Sequence, residues 1–569
     1  MKKNLLVLLI LFGLGLFAMR TFFQPGYFDG HDAQAHLVRL YQYDLALKDG
    51  QILPQWAGSL LAGRGYPVFI FAYPLPYLIS EAFHLLGFGL AVAIKLTFVL
   101  AYLTSSLGMY FFALNLWQSR LAGFIAAILW SWAPPIFEKI FIAGTLGEVV
   151  AFAFIPFTFL ALYKLINQPN VKHVIYLTLS LTAWVLSHLL NPFIFAPLLI
   201  LFSLNQLFIS KHKKIGFQLL LFSGFLTLGL TAWFIVPAAL EIKFTHFNDF
   251  VKHNYANDFV SLSRLLYSKW GTDAPGWGNN PVSQQVGVAQ WLVVGLALLF
   301  YCRRILPFLI SFALSIFLML SISKPIWDLP TPLQSISTPW RFLSLAVFSA
   351  AVSAGYLIHI IKKKNIKLFV FCLLIFLALY GNRNHLRIND IRNYDLNFLQ
   401  TYTGVATGWN EHLPIWVKDM PDQFTSSKLE ILAGACEVKE NIIKSNRQEF
   451  SLQCHQASTL QLNTAYYPGW QIKVDRQNIT ALVIDNLDLS NGMMRFNLPA
   501  GQHQLQARFT DTPLRLFAKI ISVLTFAGLI IFYNKSRFFS LLPRRLLGLF
   551  HSCAGKKAKT LSDRRSIQP

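Results

Sequence analysis

Runs of about 20 mostly apolar residues recur from the N-terminus to about residue 381 and once more near the C-terminus, the length of helices that cross a bilayer. The first, Leu5 to Ala18, follows Lys2 and Lys3, and no small-residue cleavage site precedes Arg20, so it reads as a retained helix rather than a signal peptide. Further helices are predicted at roughly 92–116, 121–136, 149–165, 174–189, 192–209, 215–237, 287–301, 305–322, 342–361, 367–381 and 514–533, about twelve in all. The apolar stretch Tyr66 to Phe88 carries Pro67, Pro74, Pro76, Glu81 and His84 and is predicted not to span. Arg120, Lys164, Lys172, the run Lys211 to Lys214, Arg303 and Arg304, Lys362 to Lys364 and the tail from Lys535 to Arg565 then all fall on the cytoplasmic side. A span at 66–88 would invert every later loop.

Between residues 382 and 513 the period changes to two. Phe450 to Cys454, Thr459 to Asn463, Gln471 to Asp475, Met494 to Leu498 and His503 to Phe509 alternate as strands do, the last two flanking a Pro499-Ala500-Gly501 turn. The expected fold class is therefore an all-α polytopic membrane protein with a small extracytoplasmic β-sandwich-like domain near the C-terminus. Its parts are a transmembrane domain over 1–381 with extracytoplasmic loops at 23–91, 137–148, 238–286 and 323–341, the β-rich domain 382–513, a last transmembrane helix 514–533 and a basic tail 534–569. The tail reads as disordered and suited to anionic lipid. Both termini are expected in the cytoplasm and the β-domain outside the cell (inner, cytoplasmic) membrane. Cys436 and Cys454 lie within that domain; a disulfide and two separate buried thiols are equally open readings.

Composition narrows the function. Of 569 residues 54% are hydrophobic and 13% charged, where soluble proteins carry about 25% charged residues, so a soluble enzyme is excluded. The formal net charge of +23 would suggest a nucleic-acid partner in a soluble chain. Here basic cytoplasmic loops account for it, and no nucleic-acid partner is expected. Five scattered cysteines exclude a zinc ribbon and a CxxC redox motif, and there is no phosphate-binding glycine loop, HExxH or GxSxG in its context. Asn478-Ile479-Thr480 matches a glycosylation sequon, a short pattern with many false matches.

The candidate chemistry stands directly after the first helix, in Tyr27-Phe28-Asp29-Gly30-His31-Asp32-Ala33-Gln34-Ala35-His36-Leu37-Val38-Arg39. On a helix, Asp29, Asp32, His36 and Arg39 share one face. A carboxylate there suits a general base on an acceptor hydroxyl, or a ligand to a divalent cation such as Mg or Mn, which Asp29 and Asp32 would hold; no other cofactor is expected. The structural alternatives are Asp29 as an N-cap, Asp32 as a first-turn acid and His36 as a surface residue.

These residues carry a resemblance. An acidic motif just after the first helix, followed by amphipathic non-spanning segments, resembles the GT-C class of membrane glycosyltransferases. More closely, His31-Asp32 with His36 and Arg39 is similar to the opening of the bacterial 6-pyruvoyl-tetrahydropterin synthase-related membrane proteins, neighbours of the YfhO-like proteins. Nothing resembles a soluble zinc-dependent pterin synthase. Gly63-Arg64-Gly65-Tyr66-Pro67 with Tyr73-Pro74-Leu75-Pro76-Tyr77, Gly144-Thr145-Leu146-Gly147-Glu148, Pro339-Trp340-Arg341, Glu411-His412-Leu413-Pro414 and Tyr466-Tyr467-Pro468-Gly469-Trp470 are similar to later segments of the same group. One departure is His412, where an aromatic residue is expected.

The resemblance implies a GT-C-like fold and a sugar donor on a polyprenyl phosphate. The acceptor would be an extracytoplasmic glycan, lipid or protein, and the transfer would invert the anomeric centre. It makes Asp32 the base, Asp29 and Glu148 secondary carboxylates, and His36 the group that orients the base. Arg341 becomes a phosphate contact, with Trp340, His31, Arg39 and His188 as further substrate contacts. Each has a plainer reading: Glu148 a first-turn acid, Arg341 and Trp340 interfacial anchors, His188 and the nearby Asn191 interhelical hydrogen-bonding groups, Lys95 a snorkelling residue. Arg264, Lys269, Trp270, Asp273 and Trp277 in the 238–286 loop suit sugar stacking, a mobile lid or a simple interfacial loop. The competing functions are a transporter or lipid-handling protein and a non-catalytic envelope assembly factor. A transporter would be expected to show paired repeats with broken helices.

Overall fold

The computed structural model describes residues 2–251, 255–273, 278–330, 332–408, 410–485 and 487–541. Seven of its helices are long and apolar enough to cross a membrane, and two bent helix pairs raise that number to nine. Three further expected spans are shorter apolar helices, Leu5–Ala18, Val171–Ser187 and Val288–Leu299. The apolar runs are thus helical where expected, but several are too short or too bent to count as simple spans.

One bend matters for the site. The run expected as a single helix at 121–136 is two helices, Arg120–Ser131 and Pro134–Phe141, set 46° apart. Proline cannot donate to the helix ladder and fits the first turn, so Pro134 opens the second piece where the first stops. All eight residues of Pro134–Phe141 are buried, including the ionisable pair Glu138 and Lys139. The other bent pair, Leu306–Met319 with Ser321–Trp327, turns by 88°.

Tyr66 to Phe88 does not form a spanning helix. It folds as Val68–Phe71 and Pro74–Leu85, with Pro74 at the start of the second. Helix Leu90–Trp117 packs against both Arg120–Ser131 and Leu146–Asn167, while Leu343–Ile360 packs on Arg120–Ser131 and Leu306–Met319. The segment Pro339–Ile360 is the centre of the bundle, 89% buried against 17% for Lys364–His385 and for Pro513–Asn534. Phe348 marks the core, its ring centroid 5.1 Å from Phe159, 5.4 Å from Trp130 and 5.6 Å from Phe195.

The C-terminal region holds two antiparallel sheets, as the alternation requires. One has Cys436–Lys444, Arg447–Cys454, Gly501–Phe509, Trp470–Val474 and Gln477–Asn478 in that spatial order, the other Leu429–Ala433, Ser458–Ala465 and Met493–Leu498. Cys436 and Cys454 are register partners and form a disulfide, which closes the question left open by their spacing.

This region meets the bundle at a buried ion pair between two helix ends, Glu241 of Lys213–Glu241 and Arg515 of Pro513–Leu541. Arg515, fully buried, donates to both oxygens of Glu241 at 2.7–3.1 Å and to the Pro468 carbonyl at 2.7 Å. Tyr467 Oη donates to the Glu241 carbonyl at 3.1 Å. Gly469 has φ +121°, and a Cβ there would lie 2.7 Å from the Thr510 carbonyl oxygen. The Tyr-Pro-Gly-Trp motif is therefore a structural joint. The last helix, Pro513–Leu541, reaches past the expected end at 533; the remainder of the basic tail lies outside the described residues.

Candidate functional site at one end of the helix bundle

The residue strip after the first helix is laced to the turn before Leu146–Asn167. The amides of His31 and Asp32 donate to the carbonyls of Ile142 and Ala143, both at 2.9 Å. Asp32 precedes helix Ala33–Lys48 as its N-cap, yet its carboxylate makes no capping hydrogen bond. Its side chain is half-buried. Burial pushes its carboxyl above the ordinary 3.8, against the opposing pull of Arg39, His31, Arg341 and Lys139.

His36 does not touch that carboxylate, which corrects the expectation that it orients the base. Its Nε2 accepts the Leu146 amide at 3.3 Å, and its Nδ1 lies 2.8 Å from Tyr77 Oη. A backbone amide only donates, so the proton is on Nδ1 and the ring is neutral. Burial holds it well below the usual imidazole range. His36 therefore orients Tyr77 and the start of helix Leu146–Asn167. Arg39 adds a bond to Tyr77 Oη at 3.3 Å and another from Nε to the Ala406 carbonyl at 2.7 Å.

The second half of the site comes from the bent helix. Lys139 Nζ lies 3.2 Å from Glu148 Oε2 and 3.9 Å from Glu138 Oε2. It also sits 3.9 Å from the centroid of the Trp340 ring. Glu148 is a first-turn acid, as its plainer reading holds, and is also buried and paired with Lys139. Gly147 is what allows this: a Cβ there would collide with the Tyr73 ring and lie 2.7 Å from the Ser187 carbonyl oxygen. Arg341 Nε donates to Thr338 Oγ1 at 2.9 Å, and its terminal nitrogens make no hydrogen bond among the described residues. Asp32 and Glu148 each interact electrostatically with both Lys139 and Arg341.

Lys139 and Glu138 were not among the sequence candidates. The available signal was two adjacent ionisable residues between apolar runs, which is costly unless paired. The bend that brings them to Trp340 was not visible.

Other candidates lie elsewhere or hold structure. Asp29 is ion-paired with Arg392 at 2.9 Å, beside the short ribbon Tyr27–Phe28 with Ile391–Arg392. His31 is exposed, and its Nε2 donates to the Thr272 carbonyl at 2.7 Å, tying the 238–286 loop to the site. His188 is buried against Tyr73, ring centroids 5.2 Å apart, and its Nδ1 accepts the Asn191 amide. Lys95, which by sequence could face a lipid phosphate or simply snorkel, donates to the carbonyls of Gln24 and Gly26, both at 2.7 Å, and so is committed to the backbone. Arg264 binds the Val282 carbonyl, Asp273 accepts the Asn280 amide, and Trp270 packs edge-on to His385; Trp277 lies outside the described residues. His412 stacks on Phe71 at 4.5 Å and on Phe247 at 5.9 Å, so the unexpected histidine fills an aromatic slot.

The donor set does not suit Mg or Mn. Asp29 is committed to Arg392, Asp32 is ringed by cations, and no group of three or more His, Cys, Asp or Glu is gathered for a metal among the described residues.

Fold and site together define a polytopic helical membrane protein whose charged cluster gathers at one end of the bundle. The chain belongs to the 6-pyruvoyl-tetrahydropterin synthase related family of membrane proteins, whose profile matches residues 70–385. That match includes Glu138, Lys139, Glu148, His188 and Arg341 and begins after Asp32. A protein of Lactococcus lactis subsp. cremoris (strain MG1363) is 22% identical over 250 residues, 42% of this chain and 41% of that protein. The chain thus spans less than half the length of that curated relative. Among solved structures, the arabinofuranosyltransferase AftD from Mycobacteria is similar at 13% identity and TM-score 0.41, over 67% of this chain and 27% of that one. Its R1389S mutant matches at 13% identity and TM-score 0.43, over 66% and 28%.

Proposed function

We propose that the protein is a membrane glycosyltransferase that moves a sugar from a polyprenyl-phosphate-linked donor to a hydroxyl of an extracytoplasmic glycan, lipid or protein, with inversion. The observation that carries this reading is Asp32, a partly accessible carboxylate with no capping bond and, among the described residues, no ion-pair partner, set in the field of Arg39, Lys139 and Arg341. A base beside several cations suits a reaction in which a proton is taken at one point and a phosphate leaves at another.

In the proposed step, Asp32 accepts the proton of the acceptor hydroxyl as its oxygen attacks the anomeric carbon. The bond from that carbon to the phosphate oxygen breaks, and its electron pair leaves with the polyprenyl phosphate. The phosphate gains one negative charge. Arg341, with free terminal nitrogens, and Lys139 stabilise that charge, and Glu148 holds Lys139 in place. A single displacement inverts the centre. The disulfide accords with a β-domain in an oxidising compartment, on the same side as the donor's sugar.

The test is reconstitution of the protein in liposomes with a synthetic short-chain polyprenyl-phosphoryl hexose and envelope extract, reading release of polyprenyl phosphate. Asp32→Asn is expected to lower the rate about 10²- to 10⁴-fold, the usual share of a general base, with lipid binding retained. An unchanged rate removes Asp32 as the base. Movement of intact donor across the bilayer by the unaltered protein would instead favour the transporter reading.

A further inference from the structure

Three buried polar atoms around Lys139 have no partner among the described residues. Glu138 Oε1, Glu148 Oε1 and Trp340 Nε1 are each shielded from solvent and make no hydrogen bond. The other oxygen of each carboxylate faces Lys139, and the lysine caps the Trp340 ring. One ammonium thus holds the three groups together and leaves two acceptors and one donor unused. Orphaned buried polar atoms are rare and costly, so three in one contact cluster point to a missing polar group.

The chemistry of that group follows from the inventory. A carboxylate oxygen only accepts and an indole N–H only donates, and a hydroxyl answers both. A group with several hydroxyls therefore fits. Its place also fits, because Glu138 interacts electrostatically with Asp32, His31 and Lys139 and so belongs to the same charged cluster as the proposed base. A transferred ring must contact both the proposed base and a phosphate cation, and Glu138 senses both Asp32 and Lys139.

We propose that Glu138, with Glu148 and Trp340, forms the subsite for the hydroxyls of the transferred sugar and selects a neutral or amino sugar over a uronic acid. The inference rests on the glycosyltransferase reading and adds the sugar class to it. A hydroxyl or ammonium on the sugar donates to the free carboxylate oxygens. A sugar carboxylate would meet two carboxylates that already share one lysine.

The experiment offers the purified full-length protein three short-chain polyprenyl phosphates carrying a hexose, a hexosamine or a hexuronate, and reads retained lipid by native mass spectrometry and phosphate release by turnover. Hexose and hexosamine lipids are expected to be retained roughly 10- to 100-fold better than the uronate, a preference that Glu138→Gln lowers by about tenfold. Trp340→Phe keeps a ring for Lys139, removes only the N–H and is expected to weaken hexose retention; it serves if Glu138→Gln does not fold. Equal retention of hexose and uronate by the unaltered protein, or selectivity untouched by both variants, overturns this inference while leaving the glycosyltransferase reading standing. Retention of none of the three, with no turnover, overturns that reading and this inference with it.

Discussion

Arg515→Met should loosen the joint between the β-region and the bundle more than any surface change. In the native protein the Arg515 guanidinium donates to both oxygens of Glu241, to the Pro468 carbonyl and, at 3.3 Å, to Gln55 Oε1. Without it, the Glu241 carboxylate, 3% exposed, keeps among the described residues only the Thr512 hydroxyl at 2.9 Å. Stranding one partner of a buried pair costs about 3–5 kcal/mol. At about 2 °C per kcal/mol for a large unit, the melting midpoint should fall by roughly 6–10 °C. Replacing both partners by apolar residues, as Arg515→Met with Glu241→Leu, removes the stranded charge and should recover most of that loss. The assay is tryptophan fluorescence on heating in detergent, since Trp56 and Trp470 pack edge to face at 5.5 Å beside the joint. A midpoint within 2 °C of the unaltered protein, or a double variant as low as both single losses combined, would refute the reasoning.

The remaining predictions address the site and the β-region. Because burial raises the Asp32 carboxyl above 3.8, turnover should fall with decreasing pH through an acidic limb above that value, and Asp32→Asn should lose the limb with the activity. Gly147→Ala should drive a methyl into the Tyr73 ring and displace Glu148; it is expected to cost about 1–3 kcal/mol in thermal stability and to lower turnover, and unchanged values for both would count against the packing argument. His412 is held near 4 by burial, so the unfolded chain binds its proton first and the native state loses stability as pH falls from about 6.5 to 4. His412→Phe should flatten that part of a melting-versus-pH profile while filling the same aromatic slot. Of the five cysteines, alkylation in denaturant without reductant should spare Cys436 and Cys454 until a reductant is added, while Cys302 and Cys372, free among the described residues, react at once.

Much of the architecture is legible from hydrophobic period alone. Length and apolarity separate helices from the alternating strands of 429–509, and the prolines and ionisable residues of 66–88 argue against a span, which the structure resolves as short helices. These are local properties: a helix or strand buries one face or all of itself according to its own side-chain pattern. Asp32 stands out for the same reason, as a carboxylate in a short polar strip directly behind an apolar run. The motif glycines and prolines are equally visible, although a one-dimensional reading does not say whether Gly147 serves catalysis or, as the structure has it, close approach to Tyr73.

Partnership is decided in three dimensions. His36 and Asp32 share a sequence motif, yet the imidazole is spent on Tyr77 and the Leu146 amide. Asp29 lies three residues from Asp32 and pairs with Arg392, some 360 residues away. Lys139 reads as one basic residue in an apolar stretch until the 46° bend at Pro134 carries it to Glu148 and Trp340. The sequence by itself determined which segments are helix or strand and which ionisable residues stand near an apolar boundary, because burial of a repeating face is written residue by residue. Only the tertiary structure decided which of those charges meet, because a hydrogen bond or ion pair depends on a separation of about 3 Å between atoms that the chain order leaves unconstrained.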